Sequence, residues 1–153
     1  MESSLLFHEG NRRLQDQFDS RRIADRLEQV TLRQEFRDSD REFIENSPFF
    51  FLATADADGR PDCSFKGGVP GFVRITGPNE LAFPDYDGNG MFKSLGNVLV
   101  NPEVALLFVA MGAKTSRLRV NGRRIMPSWG YSMYRIVLPV RRVERAAASE
   151  DSP

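Results

Sequence analysis

The residues best suited to chemistry lie in a glycine-rich stretch near the middle of the chain. Asn89 and Gly90 precede Lys93 and Ser94, which open a segment with helical periodicity. The first turn of a helix has unpaired N–H groups and a positive dipole end, and both attract anions. The pattern therefore predicts a phosphate cradle, although it also suits a loop and helix cap that hold no ligand. The GxxxxGK spacing of a P-loop is absent.

The elements that must position this cradle follow from the hydrophobic pattern around it. A short apolar strand ends at Pro84, and turn-forming residues follow it up to Gly90. A helix is then predicted from near Met91, because apolar residues recur at i, i+4, i+7 and i+8. Proline disfavours helical geometry in the preceding residue, so Asn101-Pro102 should end this helix before the strand VALLFV.

Strand-like segments surround this unit on both sides. PFFFLATAD and DCSFKGGV are joined through Asp58-Gly59, and FVRIT and LAFP follow at short intervals. Asn121-Gly122 predicts a further hairpin turn, and YRIVLPVRRV predicts a final strand. Strands this closely spaced indicate an antiparallel sheet that curls into a barrel.

The first third of the chain has helical periodicity and many charges. Leu14 and Phe18 are four apart, and Ile23, Leu27 and Val30 repeat at i, i+4 and i+7. We expect surface helices that pack through one narrow apolar stripe. A capping box at residues 39–42 predicts a further short helix that ends near residue 46.

Composition excludes several classes of site. A single cysteine, Cys63, rules out an internal disulfide and a multi-cysteine metal site, and a single histidine, His8, argues against a histidine-based zinc site or a Ser-His-Asp triad. No apolar run has the length of a membrane span, and the first residues do not resemble a secretory signal. A cytoplasmic protein of one domain, with no membrane contact, is expected.

Basic residues are concentrated near the carboxyl end. Residues 112–145 contain nine lysines and arginines and only one acidic residue, Glu144. Such a balance indicates either an anionic partner or a solvated strand face. Nucleic acid is not expected as the partner, because no recognised binding motif accompanies the arginines.

Three motifs taken together resemble the pyridoxamine 5'-phosphate oxidase-like, FMN-binding split-barrel family, in particular its uncharacterised bacterial members. They are FFFLATADADGRPDCSFKGG, PGFVRI and GNGMFKSLGNVLVNPEVALLF, and the resemblance spans roughly residues 47–122. It implies a mainly β fold, a six-stranded antiparallel split barrel over residues 47–145, after a helical leader over residues 1–46. Residues 146–153 are expected to be a disordered tail.

The resemblance also implies a homodimer with FMN at the interface. Family members place the end of the first hairpin against the flavin, and the loop and helix start near its phosphate. Carried over to this sequence, the cofactor-binding residues are Ser64, Phe65, Lys66, Gly67, Asn89, Lys93, Ser94, Leu95 and Asn97. A lysine near the ring would stabilise the anionic reduced flavin.

Other side chains have weaker predicted roles. Arg117 and Arg119 share a strand face and either reach the phosphate or line a solvated edge. Trp129 and Tyr131 either cover the flavin of the partner subunit or pack at the interface. Cys63 either lies near the flavin or, as we expect, is a small buried thiol.

The function predicted on this basis is an FMN-dependent oxidoreductase whose catalytic side chains and substrate are unknown. The resemblance does not extend to oxidation of vitamin B6, because the oxidase proper holds pyridoxamine phosphate with arginine and histidine residues near its carboxyl end and this chain has no histidine there. The alternative is a protein that binds a flavin, deazaflavin or haem without turnover, since a fold and a pocket do not establish chemistry.

Overall fold

The computed structural model describes residue 4 and residues 6–86, 89–112, 115–124 and 134–147. Within the last range, side chains are described for Val143 and Glu144. The chain clusters into two compact units, Met1–Leu32 and Arg33–Pro153. No helix in the described ranges is both long enough and apolar enough to span a bilayer.

In its described residues, the second unit contains one sheet and two helices. Its elements are α3 (Asp38–Asn46), β1 (Phe49–Ala55), β2 (Pro61–Gly67), β3 (Arg74–Gly77), β4 (Glu80–Asp85), α4 (Lys93–Val100), β5 (Glu103–Ala110), β6 (Ser116–Arg123) and β7 (Tyr134–Ala147). The strands pair antiparallel in the order β2-β1-β5-β6-β7-β4-β3. This confirms the predicted antiparallel split barrel with flanking helices. The part of the chain that the structure describes forms seven strands in this sheet, whereas the resemblance implied six.

The two faces of the sheet differ in how deeply their side chains are buried, because successive side chains along each strand point to opposite faces. One row across the sheet places Leu52, Leu106, Val120 and Val143 in register, all of them buried. We call this side the inner face. The neighbouring row belongs to the outer face and runs through Phe65, Phe51, Leu107, Arg119 and Glu144.

The hydrophobic core fills the inner face. Phe50 is fully buried at its centre, with ring centroids 4.9 Å from Phe83 and 5.1 Å from Phe108. Phe72 stacks on Phe50 at 5.9 Å. Leu95 and Val98 of α4 join this core, so the helix buries half of its predicted apolar set while Met91 and Leu99 remain exposed.

The first hairpin turns where the sequence predicted. Gly59 has φ of +80°, which glycine adopts without the steric cost of a Cβ. Asp56 closes the turn by accepting hydrogen bonds from the backbone N–H groups of Asp58 at 3.0 Å and Arg60 at 2.9 Å. These donors, with the Arg60 backbone N–H contributing most, lower the pKa of the Asp56 carboxyl group.

The hairpin predicted at Asn121-Gly122 is wrong. Both residues lie inside β6, where they pair with β5 on one side and β7 on the other. The register between β6 and β7 shifts between them, and Gly122 is buried. The glycine thus marks an irregularity within a central strand, a position that glycine also favours.

The two edge strands of the sheet have different neighbours: α3 covers the edge of β3, and a cleft borders the edge of β2. At the β3 edge, Arg41 of α3 donates to the Ile75 carbonyl at 3.0 Å, and Glu45 accepts from the Ile75 N–H at 3.1 Å. These side chains occupy backbone groups that an edge strand otherwise exposes. At the other edge, β2 borders the cleft described below.

The helix α3 is anchored through a buried carboxylate. Asp40 is fully buried and accepts from Arg33 Nη2 at 3.1 Å and from the Arg37 N–H at 2.9 Å. The cap therefore acts through Asp40 rather than through Ser39, although the helix ends at residue 46 as predicted.

The first unit contains the helices α1 (Glu9–Gln17) and α2 (Arg21–Thr31). Arg12 joins them, with Nη1 2.6 Å from Asp25 Oδ1 and Nη2 3.5 Å from Glu28 Oε2. The predicted apolar stripe exists but is solvent-exposed, from 50% for Leu27 to 71% for Phe18. Within this unit the two helices do not bury the stripe against each other, and Ala24 is the buried apolar side chain among the described residues.

The predicted tail only partly overlaps the described residues. Ala146 and Ala147 pair with Arg117 and Ser116, so β7 extends two residues into the segment expected to be disordered. Residues 148–153 lie outside the described ranges. Among the basic residues near the carboxyl end, Lys114 and the side chains of Arg135, Arg141, Arg142 and Arg145 also lie outside them.

Candidate cofactor site

A cleft of about 830 Å³ opens in the second unit where the edge strand β2 meets the start of α4. Pockets that hold small molecules and cofactors usually measure about 300–1,000 Å³. The cleft is bordered by β2, the loop after β4 and the first turn of α4. It combines a strand edge, apolar rings and a helix N-terminus in one place.

Most of the residues predicted to bind the cofactor meet in this cleft. Its lining includes Ser64, Phe65, Lys66, Gly67, Asn89, Lys93, Ser94 and Leu95. Asn97 does not line it, because its side-chain amide donates to the buried Thr54 hydroxyl at 3.0 Å and ties α4 to β1. The binding roles of all nine residues stay predictions.

The helix α4 begins at Lys93, two positions after Met91, where the pattern suggested its start. The preceding residue, Phe92, has φ of +50°, and no side chain caps the helix. A bulky residue in left-handed conformation is uncommon, and such strain concentrates at binding and catalytic loops. Gly90, at φ of +74°, is a further residue of this loop with positive φ.

Two polar contacts join β2 to the first turn of α4. Lys93 Nζ lies 2.7 Å from Asp62 Oδ1, and the hydroxyl oxygens of Ser64 and Ser94 are 3.0 Å apart. Ser94 is buried, whereas the Lys93 side chain is 62% exposed. The cation expected at the phosphate end of the cleft is therefore paired with a carboxylate of the same chain.

Sequence reasoning missed Asp62 and the apolar rim of the cleft. Asp62 precedes Ser64 by two residues on one strand, so strand periodicity alone places both on one face. Tyr86, Met91 and Phe92 line the cleft with side chains that are 53%, 68% and 53% exposed. The signal available in the sequence was the presence of aromatic and methionine residues in a glycine-rich loop.

The weaker candidates fall in different places. Cys63 is exposed and lines the cleft, so the expectation of a buried thiol is wrong. It precedes Ser64 in β2, so the two side chains point to opposite faces of the strand. Arg119 lies on the outer face, 3.6 Å from Glu144, and does not line the cleft. His8 caps α1 by accepting from the Gly10 N–H at 3.1 Å. Trp129 and Tyr131 lie outside the described residues.

The residues present fit a flavin phosphate in composition. A phosphate requires N–H and hydroxyl donors with a cation, and the start of α4 offers its first-turn N–H groups, Ser94 and Lys93. A planar ring requires an apolar wall and backbone groups, and Phe72, Pro84 and the edge of β2 border the same cleft. Asp62 is the one carboxylate that lines the cleft among the described residues, and its negative charge would repel a phosphate.

Comparison of folds finds solved structures with the same architecture. HupZ from Group A Streptococcus has a TM-score of 0.56 at 16% identity, over 77% of this chain and 99% of that chain. An FMN-binding protein from Syntrophomonas wolfei has a TM-score of 0.54 at 10% identity, over 91% and 99%. A heme binding protein from Mycobacterium smegmatis has a TM-score of 0.50 at 19% identity, over 69% and 51%. At these identities the similarity establishes the fold alone.

Comparison of sequences identifies the family. No curated protein matches the chain. The sequence profile described as pyridoxamine 5'-phosphate oxidase matches residues 36–124, which is more than half of the chain and runs from before α3 to the end of β6. Its motifs, its fold and this match agree, and the chain belongs to the pyridoxamine 5'-phosphate oxidase-like family.

Proposed function

We propose that this protein binds FMN in the cleft between β2 and α4 and acts as a flavin-dependent oxidoreductase. The observation that carries the proposal is the convergence of Ser64, Lys66, Lys93 and Ser94, from two separate elements, on one cleft of cofactor size. Family membership and the fold shared with an FMN-binding protein support it.

The chain's own residues would divide the work of binding between the two ends of the cleft. Ser94 and Lys93, with the N–H groups of the first turn of α4, would hold the phosphate. Phe72 and the edge of β2 would hold the ring. A bound flavin supplies hydride or electron-pair transfer, and Lys66 would favour its reduced anionic form through its positive charge.

A purified sample tests this proposal directly. We expect a yellow protein with a flavin absorption spectrum, or a colourless one whose melting temperature rises when FMN is added, because a ligand that binds only the native state stabilises it. Bleaching by NADH or NADPH, followed by reoxidation, would distinguish an oxidoreductase from a protein that only binds flavin.

A protein that neither carries flavin nor gains thermal stability from FMN would refute the proposal. A Soret band instead of a flavin spectrum would assign haem. The chain's one histidine caps α1, so Cys63, Tyr86 and Met91 are the cleft-lining residues of types that ligate haem iron within the described ranges. A shift with a deazaflavin but not with FMN would assign that cofactor.

We also propose that two copies associate through the outer face of the sheet. Phe49, Phe51 and Phe65 form an aromatic cluster there, with Phe49 and Phe65 stacked at 5.4 Å and Phe51 and Phe65 in edge contact at 6.2 Å. Phe65 is 63% exposed, and Leu107 lies in register beside Phe51. A second copy would remove this apolar surface from water. A cytoplasmic location stays a prediction.

The replacement Leu107→Asp is expected to convert a dimer into a monomer, because it puts a charge beside Phe51 within this apolar surface. Light scattering after size-exclusion chromatography measures the mass. The control is Leu99→Asp on the exposed side of α4, where the side chain is 62% exposed and the dimer should persist. A monomeric wild-type protein at micromolar concentration would contradict the proposed interface.

A further inference from the structure

The charge balance at the start of α4 bears on which flavin the cleft accepts. We propose that Asp62 is a specificity-determining residue, which offsets the charge of Lys93 and so weakens the preference of the cleft for a phosphorylated flavin. The inference rests on the proposed flavin site and deepens it. It concerns the preference between FMN and its unphosphorylated analogue, riboflavin.

The geometry that carries the inference is the ion pair across the cleft wall. Lys93 Nζ is 2.7 Å from Asp62 Oδ1, and the Asp62 side chain is only 14% exposed. The adjacent contact between Ser64 and Ser94 holds the same two elements together at 3.0 Å. Asp62 is therefore fixed beside the first turn of α4, where an anion would otherwise receive the full charge of the lysine.

The electrostatic consequence follows from the signs of the charges. Lys93 attracts a phosphate at this position and Asp62 repels it, so their effects largely cancel. The N–H groups of the first helical turn remain, together with the Ser94 hydroxyl, which already contacts the Ser64 hydroxyl at 3.0 Å. The wild-type protein should accordingly bind FMN no more than about tenfold more tightly than riboflavin.

The variant Asp62→Asn tests this inference because it removes the charge and retains the size and a polar contact to Lys93. We expect FMN to bind about tenfold more tightly to the variant, since the lysine charge is no longer offset. Riboflavin, which lacks the phosphate, should bind with affinity unchanged within about twofold. Titration calorimetry or quenching of flavin fluorescence measures both dissociation constants.

The matched control is Glu42→Gln on the exposed side of α3, which removes one negative charge away from the cleft. This control should leave both affinities unchanged. An unchanged or weakened FMN affinity in Asp62→Asn, with riboflavin still bound, would overturn the inference alone, and a weakened affinity would show that Asp62 orients the lysine. Failure of both flavins to bind the wild-type protein would overturn the proposed function, and the inference with it.

Discussion

Replacing Phe50 by alanine is expected to lower the free energy of unfolding by about 3–5 kcal/mol. The ring is fully buried and lies at the centre of the core, with Phe83, Phe108 and Phe72 around it. Truncation loses the transfer free energy of the ring and the edge and stacking contacts of these neighbours, and it leaves a cavity that a packed core fills only in part. Urea denaturation followed by circular dichroism measures the change.

The control for this prediction is Leu99→Ala on the exposed side of α4. Leu99 is 62% exposed, so its truncation should cost less than about 1 kcal/mol. A similar loss for both variants would contradict the central place of Phe50 in the core. Phe72 lines the cleft and stacks on Phe50, so Phe50→Ala should also weaken flavin binding.

Replacing Lys93 by alanine is expected to weaken FMN binding by about 1–3 kcal/mol. The phosphate loses a charge-assisted contact, and the Asp62 carboxylate is left without the ammonium group that offsets it. Both changes act on an anion and neither acts on the ring. The dissociation constant for FMN should rise by about tenfold for each 1.4 kcal/mol, whereas that for riboflavin should change little.

The double variant that combines Lys93→Ala with Asp62→Asn makes this prediction sharper. It restores a neutral pair of side chains, so its FMN affinity should return close to that of the wild-type protein. FMN should then bind most tightly to Asp62→Asn and most weakly to Lys93→Ala. The wild-type protein and the double variant should lie between them with similar affinities. Equal FMN affinity in wild type and Lys93→Ala would remove Lys93 from the phosphate site.

The sequence by itself determined the sheet, the order of the elements around the cleft and the residue types that could bind an anion. Strand alternation and the turn at Asp58-Gly59 are local properties, because a side-chain period and a positive φ depend on near neighbours in the chain. The helix between two strands could be predicted for the same reason, although it begins at Lys93 and the pattern suggested a start near Met91. The motifs that carried the family resemblance lie within this same region.

Only the tertiary structure decided which of these local features are used. Asn121-Gly122 has the composition of a turn, yet pairing on both sides holds it inside β6. Asn97 has the right position on its helix, but its amide is turned to Thr54. Local preference is worth at most about 1 kcal/mol per residue, and the packing of a central strand or a buried hydroxyl exceeds it.

The pairing of Lys93 with Asp62 is another feature that the local sequence pattern could not predict, here within the cleft itself. Periodicity places Asp62 beside Ser64 on one face of β2, and Lys93 beside Ser94 at the start of α4. Whether those two faces meet depends on how the helix lies across the strand, which long-range packing decides. The sequence determined the charges of the cleft, and the fold determined that one of them offsets the other.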